Sequence, residues 1–248
     1  MIGIIMKREW LRFKPSILPV ILFSILFTLT IYIVIGFPFY SVLNKINDLK
    51  FMYWVSPGIW IFMSSLMAYL ISLDGINSLL NEKHQIDAFS NSPISNKQII
   101  LGLFYWSIIL GLFQWIISFL LTSLLNNDFI TTGQFIKILI QTFPAIIFFS
   151  GLAILSGLLA ENKFTQITFS GIYFIVLAFG TGCFIPVERF PEEIFSIIKL
   201  IPITNLVLGA HSLAIQNSGS FTGGFFTLVS AIFFLLISFG VSNKRFRK

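Results

Sequence analysis

The chain has 248 residues, 56% hydrophobic and only 10% charged, with a formal net charge of +6. Soluble domains carry about 25% charged residues, so a mean hydropathy of +0.91 excludes a water-covered globular fold. The single cysteine, Cys183, excludes an internal disulfide and a cysteine-rich metal cage. The basic balance is accounted for by charges at the ends of membrane spans rather than by a nucleic-acid surface.

The first segment, "MIGIIMKREWLRFKPS", places Ile2, Met6, Trp10 and Phe13 on one helical face and Lys7, Arg8 and Arg12 on the other. Residues 1–15 therefore read either as a helix lying among lipid headgroups or as a positive anchor for the span that follows. A basic start and an apolar run also resemble a secretory signal. The run continues to "VIGFPFYSV" with no small-residue cleavage site, so an uncleaved span is expected.

Apolar stretches of roughly 20 residues, the length needed to cross about 30 Å of hydrocarbon, then recur. About six spans can be drawn: Ile17 to Phe39, Pro57 to Leu79, Ile99 to Leu125, Ile138 to Ala160, Phe164 to Ile185 and Phe221 to Val241. Lipid cannot satisfy open backbone groups, so the expected fold class is an all-α polytopic membrane protein with one domain over residues 1–248. The positive-inside rule puts Lys7, Arg8, Arg12, Lys14, Lys83, Lys97, Lys163 and the basic "NKRFRK" in the cytoplasm, against Lys45, Lys50, Lys137, Arg189 and Lys199 outside. Both termini are then cytoplasmic.

Two stretches do not fit an up-and-down bundle. Residues 80–97 contain "NEKHQIDAFSNSPISNKQ", where Ile86 and Phe89 are three apart and Glu82, Lys83 and Asp87 turn elsewhere. This predicts a short amphipathic helix, stopped by Pro93 because the residue before a proline leaves helical geometry. Ser95 to Gln98 then reads as a capping box opening the next span. An amphipathic helix on the inner face wants headgroups or a protein groove. Residues 186–220 are half apolar and broken by Pro186, Pro191 and Pro202, with apolar pieces too short to cross. They read as two short helices that dip into the outer leaflet, or as an outer loop with a surface helix.

The polar segment resembles the cytoplasmic coupling helix of ABC-2 type permeases, the membrane subunits of a class of ATP-binding-cassette transporters. The matching residues are Glu82, the helix from Ile86 to Phe89, and Ser92-Pro93-Ile94-Ser95. Asp87 stands where a glutamate is usual, and Asn81 and His84 depart from the pattern. "GCFIPVERFPEEIFSIIKLIPIT", with Pro186, Glu188, Pro191 and Pro202, is similar to the family's outer re-entrant helices, and "KREWLRFKP" to its interfacial helix.

The resemblance implies an exporter permease that carries an amphipathic substrate such as a drug, lipid or lipid-linked glycan. It implies no cofactor and no catalysis in this chain. The implied partners are cytoplasmic ATP-binding-cassette subunits docked at Glu82, Ile86, Asp87, Phe89 and Pro93, a second copy or a related permease, and membrane lipids, with no nucleic acid. The implied location is a plasma membrane, in a bacterium the inner membrane.

Other readings stand beside it. "GIWIFMSSLMAYLISLDG" is also similar to haem-exporter permeases of cytochrome c biogenesis, and a non-transporting scaffold or assembly protein has the same span pattern. A proton-coupled carrier would need ionisable groups at mid-membrane. The one candidate inside a span, Asp74, lies near an inner end and reads as an interfacial cap or packing acid. Gln114 and Gln141 read as interhelical hydrogen-bonding groups. His84 and His211 fall on opposite sides and share no metal site. His211 reads as a packing histidine or a substrate contact. Trp60, Trp106 and Trp115 read as core or lipid-facing aromatics. No G-x-x-x-x-G-K-[ST] phosphate loop occurs, so energy must come from a partner or a gradient.

Overall fold

The computed structural model describes residues 2–43, 45–46, 49–81, 94–126, 131–160, 162–216 and 219–245. Among these, helices α1 (Ile2–Phe13), α2 (Ile17–Leu43) and α3 (Phe51–Asn81) are followed by α4 (Asn96–Asn126), α5 (Thr132–Leu159) and α6 (Lys163–Ile175). Two short helices, α7 (Glu192–Ile198) and α8 (Pro202–Gln216), precede the last, α9 (Thr222–Arg245). The exception to the all-helical pattern is a two-residue antiparallel ladder, Lys45–Ile46 with Leu49–Lys50. Six helical runs are long and apolar enough to span a membrane. The fold is an all-α polytopic membrane protein.

The 3₁₀ turn Lys14–Ser16 joins α1 to α2 in a helical run of 41 residues. At 1.5 Å per residue its contour is about 60 Å, roughly twice the hydrocarbon thickness, so the whole run is longer than one crossing needs. The buried residues of α1 are Ile5 and Glu9. Ile5 packs on Gly102 of α4, where a Cβ would meet it at 2.6 Å. Trp10, exposed on its outer side, meets Trp106 edge-to-face at 6.1 Å. The face that packs is thus centred on Ile5 and Glu9, not on Trp10.

Helices α3 and α5 form the middle of the bundle, each with 72% of its apolar window buried, whereas α6 and α9 bury 22%. Lipid offers no hydrophobic drive between spans, so small residues and interhelical hydrogen bonds supply the fit. Ser107 and Ser150 hydroxyls lie 2.5 Å apart, Tyr69 meets Ser156 at 3.0 Å, and the Trp60 indole N–H donates to Thr122 at 2.6 Å. Gln114 donates to Thr28 of α2 at 3.0 Å, and Gln141 to the Leu206 carbonyl of α8 at 3.2 Å. Both glutamines bond between helices, as their composition suggested. Trp60 and Trp115 are core residues packed around Phe119, Trp115 stacked on it and Trp60 tilted.

Three span edges differ from the sequence reading. Pro57 does not open the second span but sits inside α3, which begins at Phe51. The fourth begins at Thr132, because the Thr131 hydroxyl accepts from the Gln134 N–H and caps the helix there. The fifth ends early. After α6 the helix loosens into a π turn, Val176–Gly180, and Thr181 to Ile185 then run as bends, with Gly182 at φ +91°. This left-handed geometry suits glycine. It folds Cys183 and Phe184 back against α3, where both are buried.

Candidate functional site

The end of the bundle where α3 finishes and α4 begins carries the roots of the segment on which the docking expectation rests. Glu82, Ile86, Asp87, Phe89 and Pro93 lie outside the described residues, as does His84. What precedes and follows them is well built. On the near side, Ile76 and Leu79 of α3 are buried; on the far side, Ile99, Ile100 and Leu103 of α4 are buried in the same cluster. The predicted capping box is present: the Ser95 hydroxyl accepts from the Gln98 N–H at 3.4 Å, and the Gln98 side chain accepts from the Ser95 N–H at 3.1 Å.

Helix α1 is fastened to this end by charge. The Arg12 guanidinium pairs with Asp74 and donates to the Ser78 hydroxyl at 2.7 Å, both on the last turns of α3. The nitrogen that bonds Ser78 also lies 3.4 Å from Glu9, and Arg8 donates to the same carboxylate at 2.9 Å. Asp74 is therefore a packing acid that ties α1 to α3. Asp74 is 65% exposed at its side chain, so the pair contributes orientation more than stability; exposed pairs are worth about 0.2–1 kcal/mol. The sequence reading missed Arg12 as its partner, 62 residues away. The available signal was a lone acid at an inner span end and a basic helix on the same side.

At the opposite end, Pro186 is buried ahead of the 3₁₀ turn Val187–Arg189, and Glu188 is exposed on that turn. Pro191 occupies the N-cap of α7 and Pro202 the first position of α8, sites where a missing backbone N–H costs nothing. The two helices meet at 98°. Helix α8 is bedded in the bundle: a Cβ on Gly223 of α9 would come within 2.3 Å of the Asn205 backbone. Its last carbonyls, which no helical turn can satisfy, are bonded from outside. Ala214 accepts from Tyr53 at 3.2 Å and from Gln134 at 2.8 Å, and Leu213 accepts from Gln134 at 3.1 Å. Helix α7, by contrast, leaves Ile194 and Ile197 exposed.

Between these pieces lies a cavity of about 300 Å³, bordered by Trp54, Glu188, Arg189, His211, Ser212 and Gln216 among others. His211 is buried, stacked on Trp54 with ring centres 4.4 Å apart, and its Nε2 meets the Gly182 carbonyl at 3.2 Å. Cys183 is a free, buried thiol. Among the described residues no three His, Cys, Asp or Glu side chains gather where they could hold a metal.

The described residues thus combine long apolar helices, an N-terminal basic helix clamped to the end of the bundle where α3 finishes, and a proline-hinged helix pair at the opposite end. The family model described as ABC-2 type transporter matches residues 1–215. The chain belongs to the ABC-2 type transporter family. The match takes in everything from α1 to the last turn of α8, so it contains residues 80–97 whole and the 186–220 region as far as residue 215. No curated protein matches the chain. As an ABC-2 type membrane subunit it carries no phosphate loop, in keeping with a family that generally works with separate ATP-binding-cassette subunits.

Proposed function

We propose that this ABC-2 permease is the membrane subunit of an exporter for an amphipathic substrate, driven by cytoplasmic ATPase subunits that grip residues 82–93. The observation that carries the reading is the family match across 1–215, joined to the build around that segment. It is strung between two helices of 31 residues each, and both of its roots are packed in one apolar cluster. A displacement applied there is delivered to α3 and α4 as rigid rods, and through Arg12 to α1.

The basic ends favour cytoplasmic termini in a plasma membrane, the inner one in a bacterium. On that orientation α7 and α8 form a re-entrant pair at the outer face, and the apolar Ile194, Ile197 and Leu200, all exposed, meet lipid. Two copies, or one copy and a related permease, enclose the path. The sparsely buried α2, α6 and α9 supply the surfaces that meet lipid or that partner.

The test is the double substitution Ile86→Asp, Phe89→Asp in the assembled transporter. Two charges on the docking face should abolish ATP-dependent transport while membrane insertion and ATPase turnover persist. Normal transport by a correctly inserted double variant would remove the docking role. Purification in mild detergent without any co-purifying ATPase would instead favour a scaffold.

A further inference from the structure

We infer that the cavity between α3, the Val187–Arg189 turn and α8 is a binding site for a small zwitterion. Such a ligand carries a primary ammonium and an acidic group a few bonds apart, as in a phosphatidylethanolamine headgroup or a free amino acid. The inference deepens the proposed transport reading and rests on it only for the side of the membrane from which the ligand arrives.

Size comes first. At about 300 Å³ the cavity sits at the lower edge of small-molecule sites, which run from roughly 300 to 1,000 Å³. It admits a headgroup or a metabolite of that size, not an acyl chain.

Charge comes second. Glu188 and Arg189 are consecutive on the 3₁₀ turn, both are exposed, and both border the cavity. Neither forms an ion pair or side-chain hydrogen bond among the described residues, where the ion pairs are those of Arg8, Glu9, Arg12 and Asp74. An unpaired carboxylate beside an unpaired guanidinium matches a ligand with both signs. A simple anion would meet Glu188, and a simple cation Arg189. Charge-assisted hydrogen bonds to such groups are about twice as strong as neutral ones.

The third observation is buried. His211 is 5% exposed and borders the same cavity. Its Nε2 faces the Gly182 carbonyl and must carry a proton to bond it. Nδ1 then offers a lone pair and meets no hydrogen-bond geometry among the described residues, although the Trp54 backbone also lies beside the ring. Buried polar atoms are usually paired; here Nδ1 shares the unpaired state with hydroxyls such as Ser65 and Ser72, but borders the cavity. A ligand ammonium or hydroxyl donates where the protein does not. The Trp54 stack and the Gly182 bond hold the ring in place before a ligand arrives, so little ordering cost remains for binding.

The experiment uses the full chain, purified and reconstituted in phosphatidylcholine nanodiscs, with calorimetric titration of glycerophosphoethanolamine and, separately, of alanine. Saturable binding of at least one is expected, weakened at least tenfold by Glu188→Gln and by Arg189→Gln. Both positions are exposed, so their melting temperatures should match that of the parent. Nanodiscs containing phosphatidylethanolamine separate the two sources: competition with the soluble probe assigns a lipid headgroup, and tight alanine binding indifferent to lipid assigns a free amino acid. Three results overturn the site: no saturation by either zwitterion, charge variants that bind like the parent, or glycerophosphate binding as tightly as glycerophosphoethanolamine. No ATPase is needed, so a failed coupling test at Ile86 and Phe89 leaves this result standing, and the reverse also holds.

Discussion

Replacing Gly58 by alanine tests whether the chain after the fifth span is truly bedded on α3. An added Cβ would lie 1.9 Å from the Cys183 carbonyl oxygen and 2.6 Å from its carbon. Both are backbone atoms, so no side-chain rotation relieves the clash. Reaching even 3.0 Å requires a retreat of about 1 Å, and overpacking of this kind costs about 1–3 kcal/mol. The segment has little slack, because Gly182 already holds φ +91° and the Cys183 and Phe184 side chains are buried. Against this stands the helix propensity of alanine over glycine in α3, a gain of up to about 1 kcal/mol. The net loss is about 1–2 kcal/mol, which for a chain of this size lowers Tm by roughly 2–8 °C. The assay is thermal unfolding of the purified protein in detergent, followed by tryptophan fluorescence. Gly133→Ala serves as the control, since a Cβ there has nothing within 4 Å and should leave Tm level or raise it. If Gly58→Ala melts at or above the parent temperature, the close approach of α3 to the Gly182–Phe184 bend is wrong.

Other substitutions probe separate contacts. Gly223→Ala should also lower Tm by several degrees, because its Cβ would strike the Asn205–Leu206 backbone within 2.5 Å; unchanged stability would show that α8 does not rest on α9. Tyr69→Phe removes the hydroxyl between Ser156 and Ser170, each at 3.0 Å, and should cost about 0.6–1.7 kcal/mol, the range of hydrogen bonds between membrane helices. Asp74→Arg should cut transport more than it lowers Tm, and Arg12→Asp in the same chain should restore part of it, since the pair orients α1 rather than stabilising it; equal defects in single and double variants would refute the tie. Cys183 should resist maleimide in the folded protein and react fully once denatured, as a buried thiol must; rapid labelling of native protein would contradict its packing.

What could be read from the sequence was what is local. Ser95 and Gln98 are three residues apart and bond each other, so four letters sufficed. Hydropathy found every span because twenty apolar residues in a row have one economical place to go. The errors arose where local pattern and tertiary packing part company. The apolar letters run on through "VLAFGTGCFI", so composition gave no reason to end the fifth span at Gly180; the cue was the glycine pair, and what decides it is the groove on α3 that Gly58 opens for Cys183. Pro57 looked like a helix start because proline favours that position, yet α3 extends six residues before it. The cavity was legible only in pieces. His211 and Glu188 were each noticed, but nothing in one dimension places Trp54 against a histidine more than 150 positions later. The same limit explains Arg12 and Asp74: a charged side chain in an apolar stretch is costly and so implies a partner, while the sequence leaves that partner unnamed. In this fold the Arg12–Asp74 pair and the Trp54–His211 stack lie at opposite ends of the bundle, whereas the hydroxyl and glutamine bonds of Ser107, Ser150, Gln114 and Thr28 lie within it, so substitutions at the ends should bear on function and those within on stability.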